Sequence, residues 1–183
     1  MVVISHCSIK ILVIALGVLV YIETISLIIL EICRRKGRTI MKDCTADKKG
    51  SDTQVIEYSS PVKIFIVDND GCFGRSLAEL LRASGYFALL ADSTDEARAI
   101  IRNNSFDIII SDASMPGMTC AELIIYSKKY QPLLEVIITS RTPEFAEALQ
   151  AARDGAFDYI GKNGSSILFE EKSRRRIIIR SII

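Results

Sequence analysis

The stretch VKIFIVDND, residues 62–70, decides the fold, because an apolar β-branched run ends there in acidic and amide side chains. A similar run, FDIIISD, occupies residues 106–112, and helical stretches with apolar residues at three- and four-residue spacing lie between such runs. Strands this apolar are typically buried on both faces. Their alternation with helices therefore predicts an α/β fold, a doubly wound parallel sheet with helices on each side.

Five strands are predicted in this region, at residues 62–67, 86–90, 106–110, 133–139 and 156–160. The helix starts are marked by a serine or threonine with glutamate three residues later, or by threonine before proline: Ser93 with Glu96, Thr119 with Glu122, and Thr142 with Pro143. A last helix is predicted to begin at residue 165 or 166.

The N-terminal segment has a different composition. Residues 11–30 contain Glu23 as their one charged side chain and span about 30 Å as a helix, the thickness of a bilayer core. Basic residues follow at once, which is typical of the cytoplasmic side of a span. We therefore expect residues 1–36 to form a single-pass anchor in the inner (cytoplasmic) membrane, with residues 37–60 as a flexible linker and the following domain in the cytoplasm. A buried helix is set aside here, because it would need a large domain around it and the chain has none to spare. An uncleaved signal-like segment and a mistaken start codon are the remaining alternatives.

The overall charge excludes a globally basic nucleic-acid binder. The chain carries 23 basic and 22 acidic residues, a net charge of +1, although residues 62–168 alone carry −4. The C-terminal basic residues at 174–176 and 180 are interpreted as the exposed face of a terminal helix. No nucleic-acid partner is expected.

Polar side chains follow the predicted strands. Asp68, Asn69 and Asp70 follow the first strand, Asp112 the third, and Lys162 the fifth, while Thr139 ends the fourth. The carboxyl ends of parallel strands meet at one edge, where ligands of such sheets bind. Carboxylates suit Mg²⁺, and a lysine with a hydroxyl group can hold the oxygens of a phosphoryl group in transfer.

Residues 62–168 resemble the receiver domain of two-component response regulators. The resemblance lies in IFIVDND (64–70), SLAELLRASGY (76–86), DIIISDASMPGM (107–118), VIITS (136–140) and GAFDYIGK (155–162). It implies a flavodoxin-like five-stranded sheet of order 2-1-3-4-5, in a domain over residues 61–183 that ends in a basic helix. It also implies signalling by a phosphorelay, with a sensor histidine kinase or phosphotransfer protein as donor, an unidentified downstream protein as reader, and no enzymatic activity beyond self-phosphorylation.

The resemblance assigns a role to each strand-end residue. Asp112 is the implied phosphoacceptor, assisted by Lys162 and Thr139, and Thr139 with Tyr159 forms the implied conformational switch. The implied Mg²⁺ ligands are Asp68, Asn69, Asp70, Asp112 and the backbone carbonyl of Ser114.

Three positions depart from the family pattern. Asn69 replaces a second acid, which lowers the expected affinity for Mg²⁺; Asn163 replaces a proline after the lysine, and Thr119 with Cys120 replaces Asp-Gly. One alternative is a degenerate receiver that acts as a phosphorylation-independent interaction module. Another is a phosphatase of the haloacid-dehalogenase type, which the string DNDG (68–71) resembles and in which Asp68 would be the nucleophile.

Overall fold

The computed structural model describes residues 6–36 and 61–163. These residues form one long N-terminal helix and a five-stranded parallel sheet of order β2-β1-β3-β4-β5. The strands are β1 (Lys63–Val67), β2 (Phe87–Ala91), β3 (Ile108–Asp112), β4 (Glu135–Ser140) and β5 (Asp158–Gly161). The helices are α1 (His6–Arg35), α2 (Phe73–Ala83), α3 (Thr94–Asn103), α4 (Cys120–Tyr130) and α5 (Phe145–Asp154). The predicted fold class and strand order are confirmed, while the predicted linker and terminal helix lie outside the described residues.

The strands begin one or two residues later than their apolar runs. Phe106 shows why, because it fills the core without joining the sheet ladder. Its ring stacks on Phe65 with centroids 4.9 Å apart, and its N–H donates to the side-chain oxygen of Gln131 at 2.8 Å. At Phe106, apolar character therefore indicates burial, and strand pairing starts only where the neighbouring backbone is in register.

Two of the three predicted helix starts are in place. The Ser93 side chain accepts the Glu96 N–H, and Thr119 forms a reciprocal capping box with Glu122. The prediction at Thr142 is wrong, because the N-cap of α5 is Glu144. Thr142 lies in the preceding turn, where its N–H donates to the Ser140 hydroxyl at 3.2 Å.

Each face of the sheet has its own apolar core. Helices α3, α4 and α5 cover one face, and helices α1 and α2 cover the other. The contribution of α1 is a stripe at helical spacing, consisting of Tyr21, Ile25, Ile28, Ile29, Ile32 and Cys33, all at most 3% exposed. This stripe contacts the isoleucines of β1, β3, β4 and β5, so the N-terminal helix completes the core of the domain.

The prediction of a membrane anchor, and with it the prediction of localisation in the inner membrane, is wrong. Within the described parts of the chain, none of the helices combines the length and the apolar character that a membrane span requires. The physical reason lies in the second half of α1, where the stripe from Tyr21 to Cys33 is buried against the sheet. A protein core and a lipid core select the same side chains, so the hydropathy of residues 11–30 could not distinguish between them.

Helix α1 runs antiparallel to the strands. At its C-terminal end, the Lys36 ammonium donates to the carbonyls of Asp107 and Leu133 at 3.1 and 2.7 Å, beside the amino ends of β3 and β4. Near its middle, the Tyr21 ring packs edge-on against Phe73, the first residue of α2, with centroids 5.0 Å apart. The helix therefore extends along the strands, from their amino ends at Lys36 to the edge at which they end, near Tyr21.

The docking of α1 can be measured by truncating one side chain of its stripe. Replacing Ile28, which is fully buried, by alanine is expected to lower the free energy of unfolding by about 2–4 kcal/mol, through lost apolar burial and a residual cavity. Leu27→Ala is the matched control on the same helix, because Leu27 is 57% exposed, and it is expected to change stability by less than about 0.5 kcal/mol. Urea unfolding of both variants checks this, and equal effects would contradict the described packing.

Candidate functional site

Four of the side chains predicted to form the site lie on one face at the carboxyl edge of the sheet. Side chains alternate between the faces of a strand with a period of two. Each of these residues follows, by two positions, an isoleucine of the core beneath α1 and α2: Asp68 after Ile66, Asp112 after Ile110, Thr139 after Ile137, and Lys162 after Ile160. The structure thus brings together residues that are up to 94 positions apart in the chain.

Lys162 is the centre of this group. Its ammonium lies 2.8 Å from Oδ2 of Asp68 and 2.7 Å from Oδ2 of Asp112, and the three side chains are 7%, 3% and 7% exposed. The ring of Phe73 lies beneath the ammonium, with its centroid 4.4 Å from Nζ. One buried positive charge therefore bridges two buried carboxylates.

Burial disfavours the charged form of Asp68 in this pocket. Burial raises the pKa of Asp68 above its ordinary value, although the Lys162 ammonium and the N–H of Asp70 oppose the rise, and the charge of Asp112 adds to it. The pocket carries an excess of negative charge, because one ammonium faces two carboxylates. This arrangement favours any further cation or hydrogen-bond donor that enters.

The loop after β3 holds Asp112 in place. Its Oδ1 accepts the N–H of Ser114 at 3.0 Å, and the N–H of Ala113 donates to the carbonyl of Thr139 at 2.7 Å. The Asp112 carboxylate thus has one oxygen fixed by the backbone and the other by Lys162. A carboxylate held in this way has a defined orientation towards the cleft above it.

Asp70 is directed away from the Lys162 pair. Its Oδ1 accepts the N–H groups of Cys72 and Phe73 at 3.2 and 3.4 Å, and its Oδ2 accepts a hydrogen bond from the guanidinium of Arg141. Burial alone would raise the pKa of Asp70, but the Phe73 N–H and Arg141 outweigh it and lower that pKa. Sequence reasoning missed Arg141, whose only signal was its position directly after the fourth strand.

The two predicted switch residues point to opposite faces of the sheet. Thr139 is buried on the pocket face, where its hydroxyl donates to the carbonyl of Ser111 at 3.2 Å. Tyr159 is buried on the other face, where its hydroxyl donates to the Glu147 carboxylate of α5 at 2.6 Å. Burial, with a further contribution from Glu147, raises the pKa of Tyr159. Tyr159 therefore lies outside the acidic pocket and is linked to α5.

The donor set at the cleft suits magnesium. A cleft of about 430 Å³ opens above Asp112 and is lined by Asn69, Asp70, Gly71, Asp112, Ser114, Arg141 and Thr142. Mg²⁺ prefers oxygen ligands and binds through one or two carboxylates together with water and phosphate oxygens. Asp112 and Asp70 line this cleft with carboxylates, and Asn69 and Ser114 line it with neutral oxygens. The Asp68 carboxylate lies beside the cleft, bonded to Lys162. Within the described ranges, no three acidic, cysteine or histidine side chains converge on one point.

Comparisons with known proteins match the part of the chain that contains this site. The profile of the response regulator receiver domain family matches residues 64–171. The chain belongs to this family. The strand-end carboxylates and lysine described above lie within the matched region of the receiver domain.

Among curated relatives, this receiver is 29% identical over 100 residues to the response regulator protein FleR of Pseudomonas aeruginosa, covering 55% of the chain and 21% of that protein. It is 32% identical over 98 residues to the DNA-binding transcriptional regulator NtrC of Klebsiella pneumoniae, covering 54% of the chain and 21% of that protein. The chain thus spans about a fifth of the length of these regulators.

Solved structures show the same fold. A CheY-like receiver domain protein of Methanospirillum hungatei superimposes with a TM-score of 0.54 at 25% identity, covering 67% of the chain and 98% of that protein. A response regulator of Burkholderia pseudomallei superimposes with a TM-score of 0.53 at 27% identity, covering 55% of the chain and 59% of that protein. The latter was crystallised with a phosphorylated aspartic acid and a calcium ion.

Removal of the Lys162 charge should destabilise the protein. Lys162→Met leaves two buried carboxylates without a counter-charge and is expected to cost about 3–5 kcal/mol at pH 7. Lys162 opposes the rise that burial causes in the pKa of Asp68, so its removal raises that pKa further, and the loss should shrink as the pH falls and Asp68 takes up a proton. Urea unfolding between pH 4 and 8 measures this effect.

Lys129→Met removes an exposed charge from α4 and serves as the control. It is expected to change stability by less than about 0.5 kcal/mol. A Lys162→Met defect that was small, or that grew towards low pH, would contradict the pairing described here.

Proposed function

We propose that this protein is a phosphoacceptor in a two-component phosphorelay, and that Asp112 receives the phosphoryl group. The observation that carries the proposal is the Lys162 ammonium within hydrogen-bonding distance of both Asp112 and Asp68, next to an open cleft that Asp112 lines. The donor is the phosphohistidine of a histidine kinase or phosphotransfer protein. Membership of the family implies this donor, and the pocket contains Asp112 as the acceptor.

The reaction at this site is a transfer between two nucleophiles. A carboxylate oxygen of Asp112 forms the new P–O bond as the donor's P–N bond breaks, and the donor imidazole leaves with the electron pair. Before transfer, the Ser114 N–H and Lys162 hold the carboxylate oriented. After transfer, Lys162 stays beside the new aspartyl phosphate and offsets its negative charge.

Magnesium has a defined place in this proposal. Asp68, Asn69, Asp112 and the Ser114 carbonyl would hold the ion, which supplies positive charge to the phosphoryl oxygens in transfer. Asp70 is a poorer ligand because its carboxylate is occupied by Arg141 and by the start of α2. The amide of Asn69 contributes an oxygen without a charge, so we expect the chain to need more Mg²⁺ than a receiver with two acids at positions 68 and 69.

The output is a change at the opposite face of the sheet. Thr139 and Tyr159 lie on the adjacent strands β4 and β5, where Thr139 pairs with Ile160 and Tyr159 with Ile138. A movement of Thr139 towards the phosphoryl group would shift β4 against β5 and disturb the bond from Tyr159 to Glu147 on α5. A downstream protein would read this change at α5.

A second candidate function is a phosphorylation-independent interaction module. Asn69 favours this second function, because its neutral side chain lowers the negative charge that is available to bind Mg²⁺. In the phosphatase alternative, Asp68 would be the nucleophile. However, Asp68 is bonded to Lys162 and to the N–H of Asp70, whereas Asp112 lines the cleft.

The proposal is tested by phosphorylating the full chain with acetyl phosphate and millimolar Mg²⁺, followed by intact mass spectrometry. One phosphoryl group is expected on the wild type and none on Asp112→Asn, because the amide oxygen is a poor nucleophile. Asp92→Asn is the matched control, since Asp92 is an exposed acid that follows β2 at the same edge of the sheet, and it should be phosphorylated normally.

Two outcomes would overturn the proposal. A folded wild-type chain that takes up no phosphoryl group would favour the interaction module. Uptake that survives in Asp112→Asn but is lost in Asp68→Asn would favour the phosphatase chemistry.

A further inference from the structure

Helix α1 covers the face of the sheet on which the phosphoacceptor pocket opens. The buried stripe of α1 and the pocket side chains Asp68, Asp112 and Lys162 extend from the same face. Tyr21 is the part of the described stripe that lies nearest the carboxyl edge, because it contacts Phe73, whereas Lys36 contacts the amino edge. The N-terminal helix is therefore an immediate neighbour of the site.

The Tyr21 side chain connects α1 to the Lys162 charge. Its ring packs edge-on against Phe73 at 5.0 Å, and Phe73 in turn faces the Lys162 ammonium at 4.4 Å. Two aromatic rings thus lie in series between the helix and the bridging lysine. A shift of Lys162, such as one caused by a new group on Asp112, would be transmitted directly to Tyr21.

The hydroxyl of Tyr21 is buried without a hydrogen-bond partner among the described residues. The whole residue is 1% exposed. Burial raises the pKa of Tyr21, which the nearby Thr139 hydroxyl opposes and the charges of Asp68 and Asp112 reinforce. Thr139 donates its own proton to the carbonyl of Ser111. Among the described residues, the Tyr21 O–H is thus a protonated donor without an acceptor, close to the carboxylates of Asp68 and Asp112.

Buried polar groups are almost always paired, and an unpaired buried hydroxyl destabilises the state that contains it. A phosphoryl group on Asp112 would carry up to about two negative charges in place of the single charge of the carboxylate, and it would bring three strong acceptor oxygens to this side of the sheet. It would supply the acceptor that the Tyr21 hydroxyl lacks. A phosphorylated Asp112 would thus offer Tyr21 a partner that the described residues do not provide.

We propose that Tyr21 is a further ligand of the phosphoryl group on Asp112, and that α1 docks more tightly on the receiver when this group is present. This inference rests on the proposed function, since it assumes that Asp112 is the acceptor. The coupling is reciprocal: a helix held by the phosphoryl group also stabilises the phosphoryl group. The N-terminal helix then reports the phosphorylation state, together with the face at α5.

The test uses the full chain with beryllium fluoride and Mg²⁺ as the phosphoryl mimic. Fluorine NMR measures the affinity, and hydrogen exchange measures the protection of the α1 amides at residues 20–36. Tyr21→Phe removes the hydroxyl but keeps the ring on Phe73. Tyr130→Phe is the matched control, because Tyr130 lies at the end of α4 on the opposite face of the sheet and is 41% exposed.

In the wild type and in Tyr130→Phe, beryllium fluoride is expected to slow exchange in α1 by roughly tenfold, the effect of one hydrogen bond to a charged acceptor. In Tyr21→Phe this slowing should vanish, and affinity for the mimic should fall by roughly the same factor. Equal affinity for beryllium fluoride and equal protection of α1 in the wild type and Tyr21→Phe would overturn the role of Tyr21 and leave the proposed function standing. Failure of the folded wild type to bind the mimic would overturn the proposed function and this inference together.

Discussion

The Lys162 ammonium, bonded to both Asp68 and Asp112, is the interaction on which the rest of the site depends. Three side chains that are at most 7% exposed bring three formal charges below the surface, and this is tolerable only because they share hydrogen bonds. Because the three side chains must lie within hydrogen-bonding distance of each other, β1, β3 and β5 must end next to each other at this edge. It also leaves one negative charge in excess, and this excess attracts a cation, or a donor such as the Tyr21 hydroxyl, to this edge.

The second constraint is that both faces of a parallel sheet must be covered. Helices α3, α4 and α5 cover one face, and α2 covers only part of the other. Helix α1, which precedes the family-matched region in the chain, covers the remaining part. This explains why an apolar segment outside that region belongs to the structural core. It also places the Tyr21 hydroxyl, which has no hydrogen-bond partner among the described residues, next to the pocket that contains Asp112.

The site could be predicted from the sequence because its residues follow strands. Side chains alternate along a strand with a period of two, and the carboxyl ends of parallel strands meet at one edge. These two rules place Asp68, Asp112 and Lys162 together, independently of the loop conformations. The contacts that depend on loop and helix placement could not be predicted. The bond between Arg141 and Asp70 spans 71 positions, and no local pattern signals it.

The destination of α1 was mispredicted for a physical reason. Hydropathy measures the free energy of transferring a side chain out of water. It does not indicate whether the side chain enters lipid or a protein core. The stripe of Tyr21, Ile25, Ile28 and Ile32 fits a sheet face as well as it fits lipid. Glu23 and the basic cluster after residue 33 were consistent with both interpretations.

The double-mutant cycle between Lys162 and Asp112, measured as free energies of unfolding at pH 7, tests the central interaction most directly. It compares the wild type, Lys162→Met, Asp112→Asn and the double variant. A buried bond of 2.7 Å predicts a coupling energy of about 2 kcal/mol, with the double variant more stable than the sum of the single effects implies. Additivity to within about 0.3 kcal/mol would contradict the account, because the two side chains would then not share a bond in solution.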